Sequence, residues 1–301
     1  MDAARLDTWY LQLTDRCTNA CPHCFSSCSP SGRAVVSFPQ ARKWIHHMSA
    51  VAAKRIVFTG GEPFLYFPML RNLVHEASTR KLWPAVWTNG YWITGPEEFR
   101  LSLRYLVDVG LRQLILSHDV FHGDQPFVPF ADGLAPVATD LGVDLRFATV
   151  APKEPPAPPD YLFDDHHILD GPVMFRGRAA AECVAHQARW KLDDFDACPF
   201  LDFQSPRSLF LDARGFIHIC PGFPLADLKV VSLKKFFAEF DLERHPVARA
   251  VAAGGPSRLA ADFGISDEAV KAGFVDFCHA CWTLRQRPRT SPAPQGPDQG
   301  R

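Results

Sequence analysis

Short apolar runs and longer stretches of helical spacing alternate over the first half of the chain. Thr8–Thr14 (TWYLQLT) has the aromatic and β-branched character of a strand. Ser37 then stands at the N-cap position of a predicted helix whose apolar residues Phe38, Ala41, Trp44, Ile45 and Met48 follow helical spacing. Arg55–Thr59 (RIVFT) is an apolar run ended by Gly60-Gly61, as expected of a buried parallel strand. A second helix is predicted from near Pro68, carrying Met69, Leu70, Leu73, Val74 and Ala77 inward, and Ala85–Thr88 (AVWT) is the next strand. Pro96, Glu97 and Glu98 open a third helix that Gly110 can close in a left-handed cap. Leu114–Ser117 and Asp144–Val150 complete five βα-like units.

Such alternation implies a parallel sheet with helical crossovers. Chemistry in these folds gathers beyond the carboxyl ends of the strands. Four unusual sequences stand there: a cysteine-rich loop after the first strand, Gly60-Gly61-Glu62-Pro63 after the second, Thr88-Asn89-Gly90 after the third and Ser117-His118-Asp119 after the fourth. The second half is less regular. Ala151–Asp160 (APKEPPAPPD) is too rich in proline for a helix or central strand and reads as a loop or boundary. A hairpin is predicted in SLFLDARGFIHIC with its turn at Ala213, Arg214 and Gly215, followed by a polar helix over Ser232–Phe240. Residues 286–301 are poor in apolar side chains and are expected to form a disordered tail.

Composition narrows the function classes. Of 301 residues, 47% are hydrophobic and 22% charged, and the formal net charge is −1, so no basic excess favours nucleic acid or an anionic membrane. The first residues lack the charged and apolar regions of a signal peptide, and no apolar run approaches the roughly 18 residues of a membrane span. A cytoplasmic location is expected. In that reducing compartment nine cysteines, an odd number, point to metal ligation or redox chemistry rather than disulfides.

Cys17-x3-Cys21-x2-Cys24 leaves a four-coordinate site one ligand short. A structural zinc would need His23 or Cys28 as its fourth ligand, and no second C-x2-C or H-x3-H unit stands nearby. A [4Fe–4S] cluster on three cysteines instead leaves one iron open to a cofactor. This motif, together with Gly60-Gly61-Glu62-Pro63, resembles the radical S-adenosylmethionine (SAM) superfamily. The resemblance implies an α/β fold, a partial (β/α)6-type barrel, in which SAM chelates the open iron and is reductively cleaved. The 5′-deoxyadenosyl radical so formed abstracts a substrate hydrogen, and a flavodoxin or ferredoxin supplies the electron. It further implies Cys17, Cys21 and Cys24 as cluster ligands and His23 beside the adenine. Gly60, Gly61, Glu62 and Pro63 would lie at the SAM amino group, and Thr88, Asn89 and Ser117 at its methionine and ribose parts. Asp119, His122 or Asp124 can reach substrate as an acid or base.

Cys198, Cys220, Cys278 and Cys281 form a second set, able to surround one cluster completely. They resemble the SPASM domain of radical SAM enzymes or its one-cluster form, twitch; no cysteine follows Cys281, which favours twitch. The arrangement is most similar to the twitch of aminocyclitol dehydrogenases, and Phe175–Cys183 (FRGRAAAEC) resembles the Gly-Arg-Ala stretch that often precedes such domains. A structural zinc is the alternative, and Cys183 can replace Cys198 as a ligand. Otherwise Cys183 is a hydrogen-atom donor to a substrate radical, and Cys28 is a loop thiol. The pairs His46-His47 and His166-His167 lack a ligand pattern.

The expected organisation is a barrel over residues 1–170, a smaller twitch domain of hairpin plus helix over 171–285, and the tail. A closed second [4Fe–4S] cluster suits electron transfer and net oxidation. The first expectation is modification of a ribosomally made peptide, with dehydrogenation of a small metabolite such as an aminocyclitol or sugar as the alternative. A non-enzymatic metal-binding scaffold is a third reading.

Overall fold

The computed structural model of the chain describes residues 6–51, 53–151, 170–266 and 268–287. The proline-rich stretch beyond Ala151, His166-His167 and the tail from residue 288 lie outside the described residues. The strands are β1 Thr8–Gln12, β2 Arg55–Thr59, β3 Trp83–Thr88, β4 Gln113–Ser117, β5 Asp144–Ala151, β6 Asp170–Pro172, β7 Ser208–Leu211, β8 Phe216–Cys220 and β9 Phe223–Asp227. They form one sheet in the order β6-β5-β4-β3-β2-β1-β7-β8-β9. Pairing from β6 to β7 is parallel throughout, and β8 and β9 continue it antiparallel.

Period-two alternation sorts the strand residues. Tyr10, Val57, Ala85, Ile115 and Ala148, one from each of β1 to β5, form a small buried cluster, with Trp87 and Phe210 against it. Residues one position away, such as Trp9, Leu11, Ile56, Phe58, Val86, Leu114 and Leu116, join the main core. That core is completed by α1 (Phe38–Ser49), α2 (Phe67–Thr79), α3 (Pro96–Val107) and α4 (Ala131–Asp140). The mixed α/β fold with a parallel sheet expected from the pattern is therefore present, with helices contributing Trp44, Ile45, Leu70, Leu73, Phe99, Leu103 and Leu134 to the core. Ser37 caps α1 by accepting from the Gln40 N–H, as its sequence position suggested.

The second half is fastened to the first through β1. Thr8 faces Ser208 and Leu11 faces Leu211, so the hairpin extends the parallel sheet. Its turn is set by Asp212, whose Oδ1 accepts from the N–H groups of Arg214 and Phe216, while Gly215 takes φ +100°. A short helix, α5 (Ala179–Glu182), follows β6. Beyond the hairpin come α6 (Leu233–Glu239), α7 (Pro246–Phe263), α8 (Glu268–Ala272) and α9 (Phe277–Arg285). Phe237 of α6 meets Trp9 of β1 edge to face at 6.3 Å, and α7 is interrupted at Gly254 and Gly255. Among the described residues no helix is long and apolar enough to cross a membrane.

Leu209 is fully buried on β7, where the late hairpin joins β1. Leu209→Ala is expected to cost about 2–5 kcal/mol. Denaturant unfolding of the metal-free variant, followed by circular dichroism and by tryptophan fluorescence, should shift as one transition; two separated transitions would show that the hairpin region unfolds alone.

Candidate metal and cofactor site

The loop from Leu13 to Val36 carries Cys17, Cys21, Cys24 and Cys28 from the carboxyl end of β1. Thr14 anchors its base, donating Oγ1–H to the Ala34 carbonyl at 2.8 Å and accepting from the Arg16 N–H. The turn after β2 presses on this base. Gly61 N–H donates to the Thr14 carbonyl and Glu62 N–H to the Arg16 carbonyl, at 2.7 and 2.8 Å. A Cβ on Gly61 would stand 1.9 Å from the Arg16 oxygen, so the protein's own backbone already requires this glycine.

Glu62 is fully buried and is saturated by protein donors. Its Oε1 accepts from Thr88 Oγ1 (2.7 Å) and Phe64 N–H (2.9 Å), and its Oε2 from Asn89 N–H (2.8 Å). Burial pushes its pKa up to about 7, with those three donors working the other way. Pro63 starts the turn after Glu62 and is itself buried. Asn89 donates from Nδ2 to Thr18 Oγ1 at 2.8 Å and lies 3.6 Å from Cys17 Sγ. Gln125, which the sequence did not single out, donates to the carbonyls of both Asn89 and Ser117 and so ties two strand ends together. Ser117 Oγ accepts from the Trp87 indole at 3.0 Å.

His23, Asp119 and His122 converge, with ligand atoms all within 4.8 Å of one another. Asp119 Oδ1 is 2.8 Å from His122 Nδ1, and Asp119 Oδ2 is 3.7 Å from His23 Nε2. The His23 ring stacks on Phe121 at 4.7 Å. Burial lowers the His23 pKa to about 4 against the pull of Asp119, leaving a neutral ring. Burial also opposes charge on His122, but hydrogen bonds to Asp119 and Cys21 raise it to about 9. Asp119 and His122 thus belong to the wall of the cysteine loop, whereas Asp124 is exposed and outside the cluster. Two buried atoms here, His23 Nδ1 and Asp119 Oδ2, have no hydrogen-bond partner, as befits a pocket wall made for a bound group. Cys28 is buried and hydrogen-bonds Cys24, lowering the Cys24 pKa and raising its own.

Cys198, Cys220, Cys278 and Cys281 line one cavity, with Arg176 and Arg285 also on its walls. Cys278 and Cys281 share a face of α9, three residues apart, and Cys220 ends β8. Burial raises Cys198 to about 12 and also lifts Cys278 and Cys281. Cys183 lies outside this cavity, against the buried cluster of Val173, Phe175, Ala179 and Val275.

One strand of chain spans the two cysteine sets. Arg178 donates its backbone N–H to the Cys24 carbonyl (3.0 Å), Nη1 to that of Cys21 (2.6 Å) and Nη2 to that of Cys28 (2.5 Å). Gly177 takes φ +61°, and a Cβ there would stand 2.2 Å from the Phe25 carbonyl. The Arg176 guanidinium lies 5.3 Å over the Phe25 ring and donates Nη1–H to Cys220 Sγ at 2.9 Å. The sequence marked this stretch only through its Gly-Arg-Ala likeness; the roles of the two arginines come from the structure.

Residues 11–126 match the sequence model of the Radical SAM superfamily. This stretch is therefore similar to a radical SAM domain, a superfamily whose name implies SAM and whose members carry a [4Fe–4S] cluster. Over 119 residues it is 24% identical to YydG of Bacillus subtilis (strain 168), named for peptide biosynthesis. That match covers 39% of this chain and 37% of YydG, so the chain spans little more than a third of the relative's length. Among solved structures, SuiB of Streptococcus suis bound to S-adenosylmethionine aligns at TM-score 0.45 and 13% identity, over 81% of this chain and 68% of SuiB. The protein anSMEcpe with bound AdoMet aligns at TM-score 0.48 and 12% identity, over 92% and 95% of the two chains.

Two outcomes follow from the loop geometry. Glu62 is protonated in the folded chain and ionised in the unfolded chain between about pH 4.5 and about pH 7, so its contribution to stability is lost as pH rises through that window. Glu62→Gln should flatten this slope in urea titrations of the metal-free protein; an unchanged slope would assign it to other groups. Arg178→Ala strips charged donors from the cysteine-loop carbonyls and should cost about 1.5–3 kcal/mol per charge-assisted bond lost, with lower iron retention on gel filtration after reconstitution.

Proposed function

We propose that the chain is a radical SAM oxidoreductase with one auxiliary [4Fe–4S] cluster, acting on a ribosomally made peptide. The observation that carries this reading is the convergence of four thiols on one cavity, joined to the N-terminal cysteine loop by Arg176–Arg178. Cys17, Cys21 and Cys24 would hold the first cluster. His23, the Gly60–Pro63 turn, Thr88, Asn89 and Ser117 would surround SAM; the neutral His23 ring and its stacked partner Phe121 offer a flat apolar surface for an adenine. When bound, cluster and SAM supply a 5′-deoxyadenosyl radical that takes a hydrogen atom from substrate. The protein's part is to position and shield that chemistry.

Cys198, Cys220, Cys278 and Cys281 would hold the auxiliary cluster within a unit spanning residues 171–285, and Cys183 lies away from their cavity. With all four thiols committed, the group serves as an electron acceptor. Oxidation then removes two hydrogens from substrate: one as an atom, the other as a proton and an electron. A flavodoxin or ferredoxin would be the external reductant. YydG's name supports a peptide substrate; the alternative, a small metabolite such as an aminocyclitol or sugar, would undergo the same oxidation.

Anaerobic reconstitution should load about eight irons per chain as two four-iron clusters, with dithionite-dependent release of 5′-deoxyadenosine. Cys278→Ser/Cys281→Ser should load about half the iron, keep SAM cleavage and lose product, read by mass spectrometry as absence of the two-hydrogen loss in a candidate peptide. Full turnover by that variant would overturn the auxiliary role. Oxidation of small polyols with no activity on peptides would transfer the reading to the metabolite alternative.

A further inference from the structure

The second cysteine cavity contains a cation whose position is set by the first cysteine loop. Arg176 donates Nη1–H to Cys220 Sγ at 2.9 Å, a charge-assisted contact to one of the four converging thiols. Its Nε is sealed from solvent and finds no hydrogen-bond partner among the described residues, although the side chain lines the cavity. The other arginine on the cavity wall is differently engaged. Arg285 gives Nε–H to the Cys281 carbonyl and Nη1–H to the Gly222 carbonyl, and its guanidinium lies over Phe223 and Trp282. Arg285 also reaches the Cys281 thiol, so each arginine bears on one sulfur, and Cys220 is the one that takes Arg176 Nη1–H.

We propose that Arg176 raises the reduction potential of the group held by Cys198, Cys220, Cys278 and Cys281, through its charge and its hydrogen bond to Cys220. This rests on the auxiliary-cluster reading above. A guanidinium cannot release its proton in a protein, so its charge is permanent. A cluster closed by four thiolates gains one further negative charge on one-electron reduction. A fixed positive charge at one ligand sulfur stabilises that more negative state, and hydrogen bonds to ligand sulfurs act in the same sense. The apolar walls formed by Phe200, Leu201, Phe223 and Val251 strengthen the effect by lowering the local dielectric.

The donor is also held in place. Phe25, next to Cys24, lies under the guanidinium at 5.3 Å, and the adjoining Gly177 and Arg178 are clamped to the carbonyls of Cys24, Cys21 and Cys28. Arg176 is thus a positioning and tuning residue rather than a catalytic one. It gives the auxiliary centre the character of an electron acceptor, as oxidation of a substrate radical requires.

The test is an electron paramagnetic resonance redox titration of the full-length reconstituted protein. SAM addition identifies the N-terminal cluster by perturbing its signal; the SAM-insensitive signal reports the auxiliary centre. In Arg176→Gln the reduced-to-oxidised ratio of the SAM-insensitive signal should fall at least tenfold at a given ambient potential, a downward shift of about 59 mV for one electron. The midpoint of the SAM-sensitive signal should stay in place. A wild-type midpoint for the SAM-insensitive signal in Arg176→Gln overturns the proposal.

A second measurement leaves Arg176 itself unchanged. In wild-type protein labelled with [15N]arginine, pulsed resonance at the SAM-insensitive signal should show a 15N coupling that persists in Arg285→Gln. Absence of the coupling, or its loss in Arg285→Gln, overturns the assignment to Arg176. If the wild-type protein binds only four irons and shows only the SAM-sensitive signal, the auxiliary-cluster reading itself fails; two signals with an unmoved midpoint would defeat this inference alone.

Discussion

A cysteine-rich loop has no ladder of its own to satisfy its backbone, and here Arg178 does much of that work. The carbonyls of Cys21, Cys24 and Cys28 all accept from this one residue. A buried carbonyl without a donor is costly, so the loop's conformation depends on a partner 150 residues further along the chain. The arrangement also explains Gly177: the chain passes so close to Phe25 that a side chain would collide with its carbonyl. From the other side, the Gly60-Gly61 turn presses against Thr14 and Arg16. The loop is held between two backbones, one local to the sheet and one belonging to the late half of the chain.

The two cysteine sets are built on different physical terms. The first lies among polar partners, with Asn89 beside Cys17, His122 against Cys21 and Cys28 against Cys24. The second sits in an apolar chamber where burial, aided by the neighbouring thiols, raises Cys198 and Cys278. Apolar surroundings demand a compensating positive group if those sulfurs are to become thiolates. Arg176 and Arg285 are the cations on that wall, one bonded to Cys220 and the other set against Cys281.

Much of the sheet was legible because buried parallel strands leave dense apolar runs. The boundaries of β2 agree with the run RIVFT, and the hairpin turn falls at Ala213–Gly215 as its residues suggested. β3 begins two residues earlier than its apolar run, at Trp83, because Pro84 sits in register opposite Ile56 where a proline argues against a strand. The helices α4 and α7 were not legible: one contains Pro136 and the other breaks at Gly254-Gly255 before Pro256. At the site, Cys17-x3-Cys21-x2-Cys24 and Cys278-x2-Cys281 were visible because spacing is a local property, whereas Cys198 and Cys220 were joined to the latter only through a resemblance. Arg178, Gln125 and Phe25 were invisible because their meaning comes from contacts across the fold, which no local pattern records.

The pairing of β7 with β1 has a consequence for how the chain is made. β1 leaves the ribosome well before β7, and one of its two edges is covered by residues 208–211. Until β7 has emerged, that edge is an open template for stray strand pairing. The same delay governs Cys278 and Cys281, which sit on α9 and follow the other cysteines in the chain. The two cysteine sets are thereby completed at different times: the first loop emerges early but unclamped, and the second chamber closes only once α9 has emerged.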